Sequence, residues 1–159
     1  EEPMMTGNGY CQRFHKWTKE EANNFWDKYY EIILKQVTAK KFARESIQKL
    51  RERGHKIFLV TARFSRPTFD IRKVTEEWLK ENAIEYDYII YDAKDKVKAV
   101  VNNNIDLLID DAVTNCRNVS ELGIKTYIMD AIQNRGYKVP NVIRLYSWIH
   151  ADQELSKIE

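Results

Sequence analysis

Apolar residues in the first third of the chain recur at helical spacing. Ala22, Phe25, Trp26, Tyr29 and Ile33 fall on one face of a 3.6-residue period. Thr18 stands ahead of them as an N-cap, with Glu21 three residues on, which is the pattern of a capping box. A second helix is expected with Phe42, Ala43, Ile47 and Leu50 on its inner side. Gly54 closes it by supplying the left-handed residue that follows many helix ends. Glu1–Lys16 contains Gly7, Asn8 and Gly9 without a clear period and reads as loop or as the end of an earlier element.

Beyond Gly54 the pattern changes to short apolar runs alternating with amphipathic helices. Strands are expected over Lys56–Val60, Tyr88–Tyr91, Ile105–Ile109, Lys125–Met129 and Val142–Leu145. Helices are expected over Thr68–Asn82, Lys94–Asn103 and Val113–Leu122, the last closed by Gly123, and from about Ser147. In the first of these, Ile71, Val74, Trp78 and Leu79 should face inward. Apolar strands alternating with helices imply a parallel sheet covered on both faces, an α/β fold. The aromatic helical region before Lys40 stands apart in composition and could form a small cap on that core.

Composition narrows the partners. The chain has 159 residues, 43% apolar and 31% charged, enough for one domain with a real core. A net charge of +2 carries no nucleic-acid footprint, and the basic residues Lys40, Lys41, Arg51 and Arg53 sit among Glu45 and Glu52. No nucleic-acid partner is expected. Cys11 and Cys116 are far apart and form no C-x-x-C pair, which argues against a disulfide framework or thiolate zinc site. No apolar run approaches the ~20 residues of a membrane span, and no signal peptide is visible. A reduced, cytoplasmic setting without membrane contact is the expectation.

Open α/β sheets bind ligands beyond the carboxyl ends of their strands. Thr61, Ala62 and Arg63 follow the first strand, Lys96 precedes the third strand's helix, and Asp110 and Asp111 follow the third strand. A hydroxyl, an ammonium and two carboxylates at one edge suit phosphoryl transfer. Carboxylates can hold Mg²⁺, a lysine can neutralise phosphate charge, and a threonine hydroxyl with nearby N–H groups can donate to phosphate oxygens. Each residue also has a plain structural reading. A threonine can simply end a strand, a lysine can be solvated, with Lys94 and Lys98 as rivals for the same role, and Asp110 and Asp111 can cap the following helix. Adjacent acids after an apolar run repel each other, and a cation relieves that repulsion. The ordered set is more specific than any member.

These segments resemble a known family. The run IFLVTAR resembles the second motif of the haloacid dehalogenase superfamily, Lys96 stands at the third-motif position, and IDLLIDD resembles the fourth. The segments AVTNC, MDAIQNRGY and VIRLYSWIHA are similar to the bacterial 5′(3′)-nucleotidase branch, and the resemblance runs from Thr18 to Ala151. It implies a Rossmann-like parallel sheet sandwiched by helices, a helical cap over residues 1–38 and an α/β core over residues 39–159. It also implies Mg²⁺-dependent hydrolysis of a small phosphate ester, a nucleotide. Thr61, Ala62 and Arg63 would then bind the phosphoryl group, with Lys96 stabilising its charge and that of the nucleophile. Asp110 would ligate Mg²⁺, and Asp111 would act beside the metal or through water. Asn134 and Arg135 would line the site or form a polar loop.

The family's first motif, D-x-D-x-T/V, carries the nucleophilic Asp and a general acid/base. No D-x-D occurs in these 159 residues. The motif is expected upstream of Glu1, on a strand lying between those that end at Thr61 and Asp110. A core lacking that strand should leave two apolar edges separated by about 10 Å, and should be inactive and poorly stable by itself. The alternatives are a non-catalytic relative that still holds phosphate and metal, and a receiver-type signalling domain. The receiver's acid pair comes early, whereas here it comes last. His15, His55 and His150 lack metal-ligand spacing. Phe14, Trp17, Phe25 and Trp26 could stack on a nucleobase, although an aromatic stripe at this spacing is more often core.

Overall fold

The computed structural model describes residues 15–63 and 68–158. Cys11 and Phe14 lie outside the described residues. Helix α1 (Lys19–Gln36) begins at Thr18, whose hydroxyl accepts from the Glu21 N–H at 3.2 Å while the Glu21 carboxylate accepts from the Thr18 N–H at 2.7 Å. This is the reciprocal box expected from the sequence, and such a cap contributes about 1 kcal/mol. The helix buries Ala22 and Leu34, with Tyr29 exposed and Tyr30 turned inward, so its inner face is rotated by one residue toward its C-terminus. Leu34 packs on Ile71 and Val74 of α3 (Ile71–Glu81), and Trp78 of α3 donates to the Val37 carbonyl at 2.7 Å.

Helix α2 (Ala43–Glu52) buries Ala43, Ser46, Ile47 and Leu50. Phe42, expected on that face, is instead its N-cap, held at φ +63° and 44% exposed. A left-handed residue starting a helix points its side chain away from the stripe that follows. Gly54 takes φ +90° after α2, as its position predicts.

Five parallel strands follow: β1 (Phe58–Val60), β2 (Tyr88–Ile90), β3 (Leu107–Asp110), β4 (Lys125–Met129) and β5 (Val142–Leu145). Between and after them come α4 (Lys96–Asn102), α5 (Val113–Ser120) and α6 (Trp148–Leu155). The alternation of β4 sorts the layers. Tyr127 and Met129 join Leu145, Leu50, Ala151 and Leu155 beneath α2 and α6, while Ile128 joins Val113, Cys116 and Val139 on the side of α5. Each large apolar side chain buried in these layers contributes about 2 kcal/mol. This is the parallel α/β sandwich that the sequence predicts.

The strands nevertheless form two sheets, β1–β2 and β3–β4–β5. A cleft of about 840 Å³ separates them, lined by Ile57–Thr61 on one side and Leu107–Asp110 on the other. Trp148 also lines it, and its Nε1 is buried without a hydrogen-bond partner among the described residues. Tyr88 donates to the Ile57 carbonyl, Thr61 donates to Ile90, and the Thr61 carbonyl accepts from Ala93. Residues 57 and 61 therefore turn their backbone groups to β2, and the alternation of a parallel ladder turns those of Phe58 and Val60 to the cleft. In contrast, β4 is paired along both edges.

This difference predicts a pattern of amide exchange. The Phe58 and Val60 amides should exchange at least about tenfold faster than those of Thr126–Met129, because only the latter are paired in a doubly bonded strand. Equal protection by hydrogen-exchange NMR would mean that the cleft-facing edge of β1 is covered.

Candidate functional site

The carboxyl ends of β1 and β3 flank the mouth of this cleft, and α4 begins beside them. Asp95 caps α4 by accepting from the Lys98 N–H at 2.9 Å, which places Lys96 in the first turn. The Lys96 ammonium donates to the Val60 carbonyl at 2.5 Å. Burial pushes the Lys96 pKa below the usual lysine range, and the carboxylates of Asp110 and Asp111 oppose that shift. One side chain thus bonds the end of β1 and lies in the field of the acids after β3. Of its sequence rivals, Lys98 is exposed, and exposed Lys94 stands 3.6 Å from Asp92.

Thr61 is held on both backbone sides by the β2 end, donating to Ile90 and accepting from Ala93. Its hydroxyl oxygen accepts from the Arg63 N–H at 3.2 Å, a turn that leaves the hydroxyl proton available for donation. Ala62 is exposed, and its N–H makes no hydrogen bond among the described residues. Arg63 lines the cleft with its guanidinium turned to the Thr75 hydroxyl at 3.3 Å. These three therefore offer a hydroxyl, an amide and a tethered cation.

Asp110 is half-buried. One carboxylate oxygen accepts from the Ala112 N–H at 2.8 Å, and both lie 3.2 Å from the Asn115 amide nitrogen. Burial raises its pKa above the ordinary carboxylate value; the Ala112 N–H, Asn115 and Lys96 oppose the rise. The plain reading of the acid pair as a cap is thus partly realised, since Asp110 bonds the N-cap residue of α5. Asp111 is exposed and accepts from Gln133 at 2.8 Å. Two adjacent hard-oxygen donors facing an ammonium fit part of a Mg²⁺ shell, which takes one or two carboxylates and completes itself with water and phosphate oxygens. No cluster of three or more His, Cys, Asp or Glu side chains suited to a metal occurs among the described residues.

Other expectations change. Asn134 does not face the cleft: it is buried, donating to the Asp111 and Met129 carbonyls. Arg135 is exposed and pairs with Asp130 at 2.9 Å. Phe25 and Trp26 are half-buried in an aromatic chain that runs from Trp17 through Phe25 and Trp26 to Tyr30 and Phe69. Cys116 is fully buried, and burial, then the acid charges, push its thiol up to about 12, so it supplies no thiolate near neutrality. His15 lies against Trp17 and His150 stacks on Tyr146, well apart in sequence and element. Asn115 and Arg144 lie within the segments AVTNC and VIRLYSWIHA, but nothing in those segments singles them out, because their partners come from other elements.

Two comparisons bear on these residues. A family model described as "5′ nucleotidase, deoxy (Pyrimidine), cytosolic type C protein" matches residues 6–158. A Bacillus subtilis (strain 168) protein named "Putative nucleotidase YqfW" is 32% identical over 138 residues, covering 86% of this chain and 69% of that protein. Among the described residues no helix is long and apolar enough to cross a membrane.

The raised Asp110 pKa carries a stability consequence. Above its folded pKa the ionised group costs stability relative to the unfolded chain; the cost fades as pH falls through the folded value and vanishes below the unfolded one. Without divalent cation, Asp110→Asn should therefore raise Tm at pH 7, and the gain should shrink as pH falls toward the ordinary carboxylate range. A lower Tm at pH 7 by calorimetry would show that the ionised carboxylate's hydrogen bonds outweigh its burial.

Proposed function

Because the chain belongs to the family of cytosolic type C 5′ nucleotidases, within the haloacid dehalogenase superfamily, and is a nucleotidase on that basis, we propose that it hydrolyses nucleoside monophosphates at the mouth of the β1–β3 cleft. The observation that carries this reading is the Lys96 ammonium, bonded to Val60 at one strand end and facing Asp110 and Asp111 at the other. A phosphate placed there meets the Thr61 hydroxyl, the Ala62 amide and Lys96 together. Lys96 offsets charge on the transferring group, and the fixed donors are aimed before reaction, which is where such contacts are worth most. Arg63 stands beside them as a further cation. Asp110 and Asp111 are the residues that would hold Mg²⁺, with Asp111 acting directly beside it or through water. When bound, the metal neutralises phosphate oxygens and orients them for in-line attack.

In this reading the attacking group is the carboxylate of an Asp carried on a strand occupying the cleft between β1 and β3. The carboxylate bonds to phosphorus as the bond to the nucleoside oxygen breaks, and the leaving oxygen takes a proton from a neighbouring acid. Water then cleaves the aspartyl-phosphate to release inorganic phosphate. The residues of this chain bind, orient and neutralise; none of Thr61, Lys96 and Asp110 replaces the attacking carboxylate. The family's own description, cytosolic type, supports a cytoplasmic setting. The absence of D-x-D from these 159 residues keeps one second reading in play, a relative that binds phosphate and Mg²⁺ without turnover.

The test compares residues 1–159 with a form joined upstream to a D-x-D strand. Mg²⁺-dependent release of phosphate from nucleoside monophosphates is expected only in the joined form, and its absence from both favours the non-catalytic reading. Within the active form, Lys96→Ala should lower kcat by about 100-fold, on the order of 3 kcal/mol. Lys94→Ala and Lys98→Ala should change it little. Equal, small effects at all three lysines would remove Lys96 from the mechanism.

A further inference from the structure

We propose that Asn134, held by Arg144, is a positioning residue that fixes the acid turn at Asp110 and Asp111. The proposal rests on the reading of those acids as the metal-facing pair. It begins from an accounting problem. Asn134 lies in the polar connection between β4 and β5, yet it is 1% exposed. A buried amide costs free energy unless each of its groups is bonded.

Here every capacity is used. Its NH₂ donates to the Asp111 carbonyl and to the Met129 carbonyl, both at 2.8 Å. Its Oδ1 accepts from the Ala131 N–H at 3.1 Å and from Arg144 Nη1 at 2.6 Å. Two carbonyls on one side and two donors on the other permit only one orientation of the amide. The partners belong to three segments: the exit of β4, the turn after β3, and β5. Asn134 therefore cross-links the acid turn to β4 and β5.

Arg144 makes that cross-link rigid. Its guanidinium also bonds the Asp130 carboxylate at 2.9 Å, the Asn134 carbonyl at 3.0 Å and the Tyr137 carbonyl at 2.9 Å. A planar fork with this many fixed acceptors has little freedom to turn. Asp130 balances its charge and is itself held by Arg135. The same short turn grips the next group as well, since Gln133 donates to the Asp111 carboxylate at 2.8 Å. Asp111 is thus held by its carbonyl through Asn134 and by its side chain through Gln133.

The function of this strap is to fix the backbone of the turn that carries two repelling carboxylates in the field of Lys96. Residues that orient metal ligands typically change metal affinity by 10–100-fold when removed. A strap that only stabilised the loop would lower Tm and leave cation affinity unchanged.

The test uses Mn²⁺ alone, which takes the same hard oxygen donors as Mg²⁺ and broadens nearby NMR signals even when binding is weak. In the 159-residue chain, Mn²⁺ should broaden the amides of Asp110, Asp111 and Ala112 first. Asn134→Ala should weaken that binding about tenfold. Arg144→Lys, which keeps the charge but loses the fork, should weaken it less but measurably. Thermal melts run in parallel report folding. Wild-type Mn²⁺ affinity in the folded variants, whatever their Tm, overturns the proposal. If Asn134→Ala does not fold, Arg144→Lys decides by the same criterion. Absence of broadening at the acid turn in the wild-type chain would instead overturn the metal reading beneath it.

Discussion

The hydrogen bond from Lys96 to the Val60 carbonyl ties the two sheets together at the carboxyl ends of β1 and β3. That carbonyl is on the cleft-facing edge of β1, where no strand of the described residues pairs with it. A backbone acceptor at a partly buried edge needs a donor. Here the donor is a charged side chain from the helix that leads into β3. The same ammonium, desolvated in this position, is steadied by the acids after β3. An edge problem of the fold and a charge problem of the site therefore share one residue. The Thr61 turn, the cleft and the acid pair are all placed relative to it.

Much of the fold was legible because its signals are local. Lys125–Met129 and Val142–Leu145 coincide with the expected strands, since a run bounded by turn residues and apolar enough for burial has few other solutions. Thr18, Gly54 and Gly123 read correctly for the same reason: capping chemistry involves neighbours within four residues. The differences of detail fall at element ends, where strand pairing, a cap two residues away or a left-handed backbone decides. The strand expected over Lys56–Val60 is ladder-paired only from Phe58, and the helix expected from Thr68 begins after Asp70, whose carboxylate caps it. Periodicity places Phe42 on the inner face, but the left-handed backbone ahead of α2 turns it outward.

The candidate site divides in the same way. Thr61, Lys96, Asp110 and Asp111 could be picked out because strand ends in an α/β fold converge, so position along the chain stands in for position in space. The supporting residues had no such proxy. Asn115 meets both Asp110 oxygens from within α5, and Arg144 reaches Asn134 and Asp130 from β5. Asn134 and Arg135 looked equivalent as neighbours in a polar loop, yet one is buried as a cross-link and the other lies on the surface. Burial of a polar residue is set by the partners that satisfy it, and those partners here come from three segments.

The most direct measurement of whether the β1 and β3 ends form a phosphate site is a titration of the chain with inorganic phosphate and Mg²⁺, followed by ¹⁵N NMR. Phosphate held by the Thr61 turn and Lys96 should move the amide signals of Thr61, Ala62 and Arg63 together with those of Asp111 and Ala112, along one binding curve. Saturable shifts confined to other surfaces, with these five signals unmoved, would contradict a phosphoryl site at the cleft mouth.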